Sequence, residues 1–257
     1  MISNLASVHP KAQIGKNVTI EPFATVYEDV VIGDGSWIGP NAVIMDKARI
    51  GKNVKIFPGA VIAAIPQDLK FKGEPSLVEI GDNTIIRECC TLNRGTVDRM
   101  TTKVGNNCLI MAYVHLAHDC IIGNNVILAN NVGLSGHITV EDHAIIEGMV
   151  GAQQFVTIGA HSFIAGYSQI RKSVPPFVRC AREPLQYIGV NTVGLSRRGF
   201  APEVIKQVED IYRIIFVKGL SMTNALEMVE KEIPNSDTKT QILSFIRNQE
   251  NGIIRGI

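Results

Sequence analysis

Residues 104–134 read Val-Gly-Asn-Asn-Cys-Leu-Ile-Met-Ala-Tyr-Val-His-Leu-Ala-His-Asp-Cys-Ile-Ile-Gly-Asn-Asn-Val-Ile-Leu-Ala-Asn-Asn-Val-Gly-Leu. An aliphatic side chain returns every sixth position: Val104, Ile110, Leu116, Ile122, Leu128, Leu134. Neither the 3.6-residue period of a helix nor the two-residue period of a long strand produces this beat. A parallel β-helix built from hexapeptides does. The same beat runs from Val8 through Ile62, resumes at Ile80, Ile86 and Leu92, and continues from Val104 to Ile170, weakening only at Ala152. Four residues after a beat the side chain is small or β-branched, as at Ala12, Val18, Ala24 and Val30.

A second period sits on the first. Gly15, Gly33, Gly51, Gly105, Gly123 and Gly159 each follow a beat and are spaced by multiples of 18. Three hexads therefore make one coil, and the coils stack into a triangular prism of three flat sheets. Residues 8–175 give about nine coils, about 4.8 Å apart at ordinary strand spacing. Three residues after a beat the same column reads Asn17, Gly35, Asn53, Asn107, Asn125, His143, His161. These types tolerate the left-handed backbone that a corner needs, which explains His143 and His161 without chemistry.

Two polar stretches lack the beat, 68–79 and 94–103, and are expected as loops leaving the prism. Pro175-Pro176 is expected to end it. The chain thus divides into a β-helix at 1–176 and a small helical part at 177–257, with helices expected at 186–198, 202–218, 221–232 and 237–248.

The bulk composition narrows the function. With 25 Lys plus Arg against 24 Asp plus Glu, no whole-protein electrostatic grip on nucleic acid is expected. No apolar run reaches membrane-spanning length and no signal peptide opens the chain. Five cysteines without a CxxC pair point to reduced thiols in a cytoplasm. Cys90 and Cys108, 18 apart, read as stacked buried thiols.

One polar cluster interrupts the apolar coils: His115, His118 and Asp119. A neutral imidazole beside a carboxylate is a general base near pH 7. Coil arithmetic extends it. Eighteen residues beyond His118 is Gly136 and 36 beyond is Gln154, while 18 beyond Asp119 is His137. Gly136 leaves space over His118 and exposes an N–H suited to an oxyanion. His118 is off the corner column. His137 is on it, so spacing alone leaves that residue between corner duty and chemistry.

The hexapeptide prism resembles the left-handed parallel β-helix acyltransferases. Within them the chain is similar to the family of UDP-N-acetylglucosamine 3-O-acyltransferases of lipid A biosynthesis. The resemblance is carried by Pro-Gln-Asp-Leu-Lys at 66–70, Gly-Glu-Pro at 73–75, Arg-Gly-Thr at 94–96, His-Leu-Ala-His-Asp-Cys at 115–120, Gly-His at 136–137, Gln-Phe at 154–155, Gly-Val-Asn at 189–191 and Arg-Arg-Gly-Phe at 197–200. It covers essentially the whole chain. It implies a left-handed helix, which periodicity does not reveal, and acyl transfer from an acyl carrier protein to the 3-hydroxyl of UDP-N-acetylglucosamine.

By the same resemblance His118 is the general base, Asp119 orients it, and the Gly136 N–H holds the oxyanion. Asp68, Lys70, His115, His137 and Gln154 contact the sugar and diphosphate; Asn191, Arg197 and Arg198 hold the nucleotide. Gly166 falls where the family limits the acyl chain, and a glycine there leaves the groove open for a long 3-hydroxyacyl group. No cofactor and no metal are implied. A homotrimer is, with sites between adjacent prisms, so that loop 68–79 would reach a neighbour's His118. Gln153 and Val193 depart from the family's usual histidine and acidic residue. Lys103, Arg171, Lys172, Arg179 and Arg182 are candidates for a carrier-protein surface. Two rival readings are a γ-class carbonic anhydrase-like enzyme holding zinc through His115, His118 and His137, and a non-catalytic hexapeptide scaffold.

Overall fold

The beat side chains all point one way. In a computed structural model, which describes residues 1–249 and 251–256, they fill the axis of a three-sheet prism. Glu250 and Ile257, both in the expected C-terminal part, lie outside the described residues. The first sheet has nine strands, among them His115–Leu116, Gly133–Leu134, Gly151–Ala152 and Gln169–Ile170. The second has eight, among them Leu77–Ile80, Thr101–Val104, Ile121–Ile122 and Thr139–Val140. The third has ten. The coil is a left-handed parallel β-helix.

Pairing is parallel and in register with the 18-residue coil: Ile14 lies beside Ile32, and Leu116 beside Leu134. Beat residues such as Ile38, Ile110 and Leu116 are fully buried, as are the positions four further on, such as Val114, Cys120 and Val132. Each buried aliphatic side chain contributes about 1.5–3 kcal/mol relative to exposure. The recurrent glycine is demanded by crowding between coils. A Cβ on Gly33 would lie 2.6 Å from the carbonyl of Gly51.

Most residues three past a beat turn a corner with positive φ. The asparagines do so as expected, and so do His143 (φ 62°) and His161 (φ 59°). Bulky residues are forced into the same conformation, including Tyr113, Phe155 and Tyr167. Asp119 (φ 60°) and His137 (φ 64°) are corner residues too. Applied to the beat at Leu116, the corner rule places Asp119 as it places His137.

The first loop lies three residues earlier than expected, and the second is shorter than expected. Residues 77–79 and 101–103 are not loop. Leu77–Ile80 pairs with Thr101–Val104 along its whole length, because alternating Val78, Ile80, Thr102 and Val104 bury one face. What leaves the prism is 65–76 and 94–100. Residues that stack across coils are 18 apart in regular coils, 30 apart across the first loop and 24 across the second. Each excursion is thus a whole number of hexads, and the inward face is kept.

Pro175-Pro176 does not close the third sheet. Val178–Ala181 pairs parallel with Phe163–Ile164, and Gln186–Val190 returns antiparallel to it. The helix expected from residue 186 therefore begins only at 192. Asn191 caps helix α1 (Thr192–Arg197), accepting from Gly194 N–H, and Gly189 at φ 140° is unsuited to a helix. Helices α2 (Pro202–Phe216), α3 (Met222–Glu232) and α4 (Asp237–Arg247) form as expected, with serine caps Ser221 and Ser236 on the last two. Tyr212 of α2 is buried and donates to the Pro176 carbonyl at 2.6 Å, fastening the helices to the prism end. Among the described residues no helix is long and apolar enough to cross a membrane.

Candidate active site

His118, Gly136 and Gln154 come from three successive coils at the edge between the first and second sheets. They line one cleft of about 740 Å³ together with Asp68, Lys70, His115, His137 and Phe155. Seven residues expected at the site are thus brought together. Asp119 lies behind the cleft wall.

His118 is buried, and its Nδ1 is 2.9 Å from Asp119 Oδ2. Asp119 is fully buried and its carboxylate is satisfied on both oxygens. Oδ1 accepts from the backbone N–H of Thr96 (2.9 Å) and of Arg99 (3.2 Å); Oδ2 accepts from the Thr96 hydroxyl (2.6 Å). Burial works to raise its pKa. The hydrogen bonds from Thr96, His118 and the two amides outweigh burial and hold it below the ordinary carboxylate value. An ionised carboxylate only accepts, so the proton shared with His118 sits on Nδ1. That leaves Nε2 with its lone pair toward the cleft.

Gly136 is buried above this ring. A Cβ there would stand 2.5 Å from His118 Cε1 and 2.7 Å from Nε2. Its φ lies outside the left-handed region, so space and not backbone conformation excludes a side chain. Its N–H has no acceptor among the described residues. Gly133 opens the cleft floor further, since an added Cβ there would find no neighbour within 4 Å. His115 is turned by Thr91, whose Oγ1 is 2.7 Å from Nδ1; burial pulls its pKa down. Asp68 faces His118 Nε2 at 4.0 Å, beyond hydrogen-bond reach. Loop 65–76 thus brings Asp68 to the His118 of its own chain.

Four expected residues are not in this cleft. Gly166 lies on the opposite edge of the first sheet, its N–H donating to Glu147 Oε2. Asn191, Arg197 and Arg198 sit at the third corner, between the second and third sheets. Asn191 is buried, with Nδ2 donating to the His161 carbonyl; both ends of its amide are occupied. Arg198 donates to the His143 carbonyl at 3.0 Å, while its other terminal nitrogen is buried without a partner. Arg197 is exposed. Nor do the five basic residues form one patch. Lys103 is on the second sheet and Arg179 on the third, stacked over Phe163.

Spacing alone gave no role to Thr96, Asp98, Arg99 and Phe155. The first three lie on loop 94–100, whose position a repeat cannot specify, though its Arg-Gly-Thr run was a signal. Phe155 sits at a corner and stacks on His137, with centroids 4.5 Å apart and planes 11° apart. The three-histidine zinc arrangement is not assembled. The ligand atoms that converge within 4.8 Å are those of His118, Asp119 and His137, without His115, and the Asp119 carboxylate is already saturated. Cys90 and Cys108 do not stack: the coil spacing across loop 94–100 is 24 residues, so Cys90 lies beside Val114 and Cys108 beside Thr84, at different corners. Both are buried, which pushes the Cys90 thiol up to about 11, as an inert thiol requires.

A left-handed hexapeptide prism with a buried His–Asp pair beneath an open glycine defines the hexapeptide-repeat transferases. Comparison with known proteins narrows this. The model of "Bacterial transferase hexapeptide (six repeats)" matches residues 29–64 and 101–136, and that of "Udp N-acetylglucosamine O-acyltransferase; Domain 2" matches 174–254. An acyl-[acyl-carrier-protein]–UDP-N-acetylglucosamine O-acyltransferase of Sulfurihydrogenibium sp. (strain YO3AOP1) is 50% identical, covering 97% of this chain and 94% of that enzyme. The crystal structure of a UDP-N-acetylglucosamine acyltransferase from Bacteroides fragilis superposes with a TM-score of 0.98 at 50% identity, over 99% of this chain and 100% of that one. The Francisella novicida structure gives 0.96 at 40% identity, over 99% and 94%. The chain belongs to the UDP-N-acetylglucosamine O-acyltransferase family. These matches do not support the carbonic anhydrase or the passive scaffold.

Proposed function

We propose that this chain transfers a 3-hydroxyacyl group from an acyl carrier protein to the 3-hydroxyl of UDP-N-acetylglucosamine, the first step of lipid A biosynthesis. The observation that carries the mechanism is the buried His118–Asp119 pair with Nε2 open to a cleft under Gly136. His118 Nε2 takes the hydroxyl proton as the oxygen attacks the thioester carbonyl. Asp119 stabilises the imidazolium that forms. The Gly136 N–H receives the developing oxyanion, and the imidazolium returns its proton to the departing carrier thiolate. Positioned bases of this kind contribute about 10²–10⁴-fold, and one oxyanion donor about 10²–10³-fold. Asp68, Lys70, His115, His137 and Gln154 line the same cleft and hold sugar and diphosphate.

In one chain the nucleotide residues Asn191, Arg197 and Arg198 are at a different corner from His118. A homotrimer unites them, each site taking its base from one prism and its arginines from the next. Arg198 then supplies its unpartnered nitrogen to the nucleotide, while Asn191 shapes the helix that carries it. Gly166 borders the acyl groove and leaves it open. The test incubates the chain with UDP-N-acetylglucosamine and a panel of 3-hydroxyacyl carrier proteins and weighs the product. A product heavier by one 3-hydroxyacyl group is expected. No acylated sugar with any donor refutes the reading.

A further inference from the structure

Loop 94–100 is the one excursion gripped by the catalytic pair. Thr96 and Arg99 donate three hydrogen bonds to the buried Asp119 carboxylate, and the Arg99 side chain donates to the Asp119 carbonyl at 2.9 Å. These bonds tie the loop to the prism edge at Asp119. From that footing Asp98 Oδ2 lies 2.9 Å from His137 Nδ1. The Asp98 side chain is 58% exposed, and so exposed a pair adds little to stability. What it does add is orientation. Phe155 covers one face of the His137 ring, and the His118 ring meets it edge-on at 4.9 Å. Asp98 occupies Nδ1. The alternative carboxylate, Asp119, is 3.9 Å from Nδ1 and saturated. Only Nε2 is left to the cleft that His137 lines.

We propose that Asp98 is a positioning residue for the acceptor sugar nucleotide: it forms with His137 a second His–Asp pair beside His118–Asp119, which presents His137 Nε2 to the substrate in one orientation. The two pairs divide the work. The buried one moves the proton, and the exposed one fixes a contact to the acceptor. Without Asp98 the ring is free to turn over and offer either nitrogen, so acceptor binding weakens while proton transfer at His118 does not.

The inference rests on the acyltransferase reading, so binding is measured directly, by calorimetry of UDP-N-acetylglucosamine on the full chain. Asp98→Ala is expected to weaken binding about 3- to 10-fold, the usual effect of releasing one held side chain. At saturating substrate kcat stays within about twofold and the melting temperature is unchanged. Asp98→Asn, whose amide oxygen still accepts from Nδ1–H, keeps most of the affinity. In a His137→Ala background Asp98→Ala has no further effect, as a coupled pair requires. Wild-type affinity in Asp98→Ala overturns the inference, as does an undiminished loss in the His137→Ala background. A wild-type chain that binds no sugar nucleotide overturns the functional reading and the inference with it; a binding wild type with an unaltered Asp98→Ala overturns the inference alone.

Discussion

Adding one carbon at Gly136 tests the site most sharply. In Gly136→Ala the new Cβ starts 2.5 Å from His118 Cε1 and 2.7 Å from Nε2. Ordinary contact begins near 3.4 Å, so the imidazole must retreat by roughly 0.9 Å. It cannot retreat and keep its partner. The Nδ1 to Asp119 bond is 2.9 Å, and a comparable displacement takes it past hydrogen-bond range. Asp119 cannot follow, being fully buried and held by Thr96 and Arg99. A displacement of about 1 Å at a reacting group costs about 10²-fold in rate, and overpacking of this size about 1–3 kcal/mol of stability. Backbone strain plays no part, since Gly136 is not left-handed. The assay is acyl transfer to UDP-N-acetylglucosamine at saturating donor, with thermal melting and size measured alongside. Expected is a fall in kcat of about 10²-fold in a protein that still folds. Activity within about threefold of wild type would show that His118 is not the base, or that the site is not where the cleft lies.

Other outcomes follow from the same geometry. His118→Ala should lose transfer by about 10²–10⁴-fold with assembly intact, read by activity beside light scattering. Thr96→Val leaves Asp119 Oδ2 short of its 2.6 Å donor; stability should fall by about 1–3 kcal/mol and kcat with it, while Thr96→Ser retains both. Because Asp119 is held below its usual value, the stability gap between Thr96→Val and wild type is present above about pH 4 and narrows as pH falls further. His161 shows the opposite ionisation. Burial, then His143 and Arg198, lower it to about 4, with Asp142 opposing. The unfolded chain therefore binds more protons between that value and about 6.5, and stability rises with pH across this window by up to about 3 kcal/mol. Denaturant titrations should show that slope in wild type and a shallower one in His161→Phe, where the lowered His115 and His143 still contribute and the ring stack with His143 and Phe177 is kept.

The beat and the 18-residue glycine column determined by themselves that this chain is a prism, and which residues stack within an uninterrupted run of coils. Each coil repeats one local rule: a buried aliphatic, a left-handed corner, and a glycine where coils touch. His118, Gly136 and Gln154 could be superposed by counting for that reason, and the packing of the Gly136 position against the His118 ring bears the count out. Corner geometry does not preclude a polar contact at His137 or Asp119; each is a corner residue that also meets a polar partner, Asp98 and His118 respectively. Loops 65–76 and 94–100 are where counting failed. No periodic rule says where a non-repeating segment lands, and only tertiary packing put Thr96 and Arg99 on Asp119, Asp98 on His137, and Asp68 over its own chain's His118. The strand at Gln186–Val190 was hidden for a related reason. Its antiparallel pairing depends on a sheet edge supplied by distant residues, whereas helices α2 to α4 carry their caps and apolar faces within themselves. Composition set the inward face of this protein; long-range contacts alone decided what the outward-facing histidines touch.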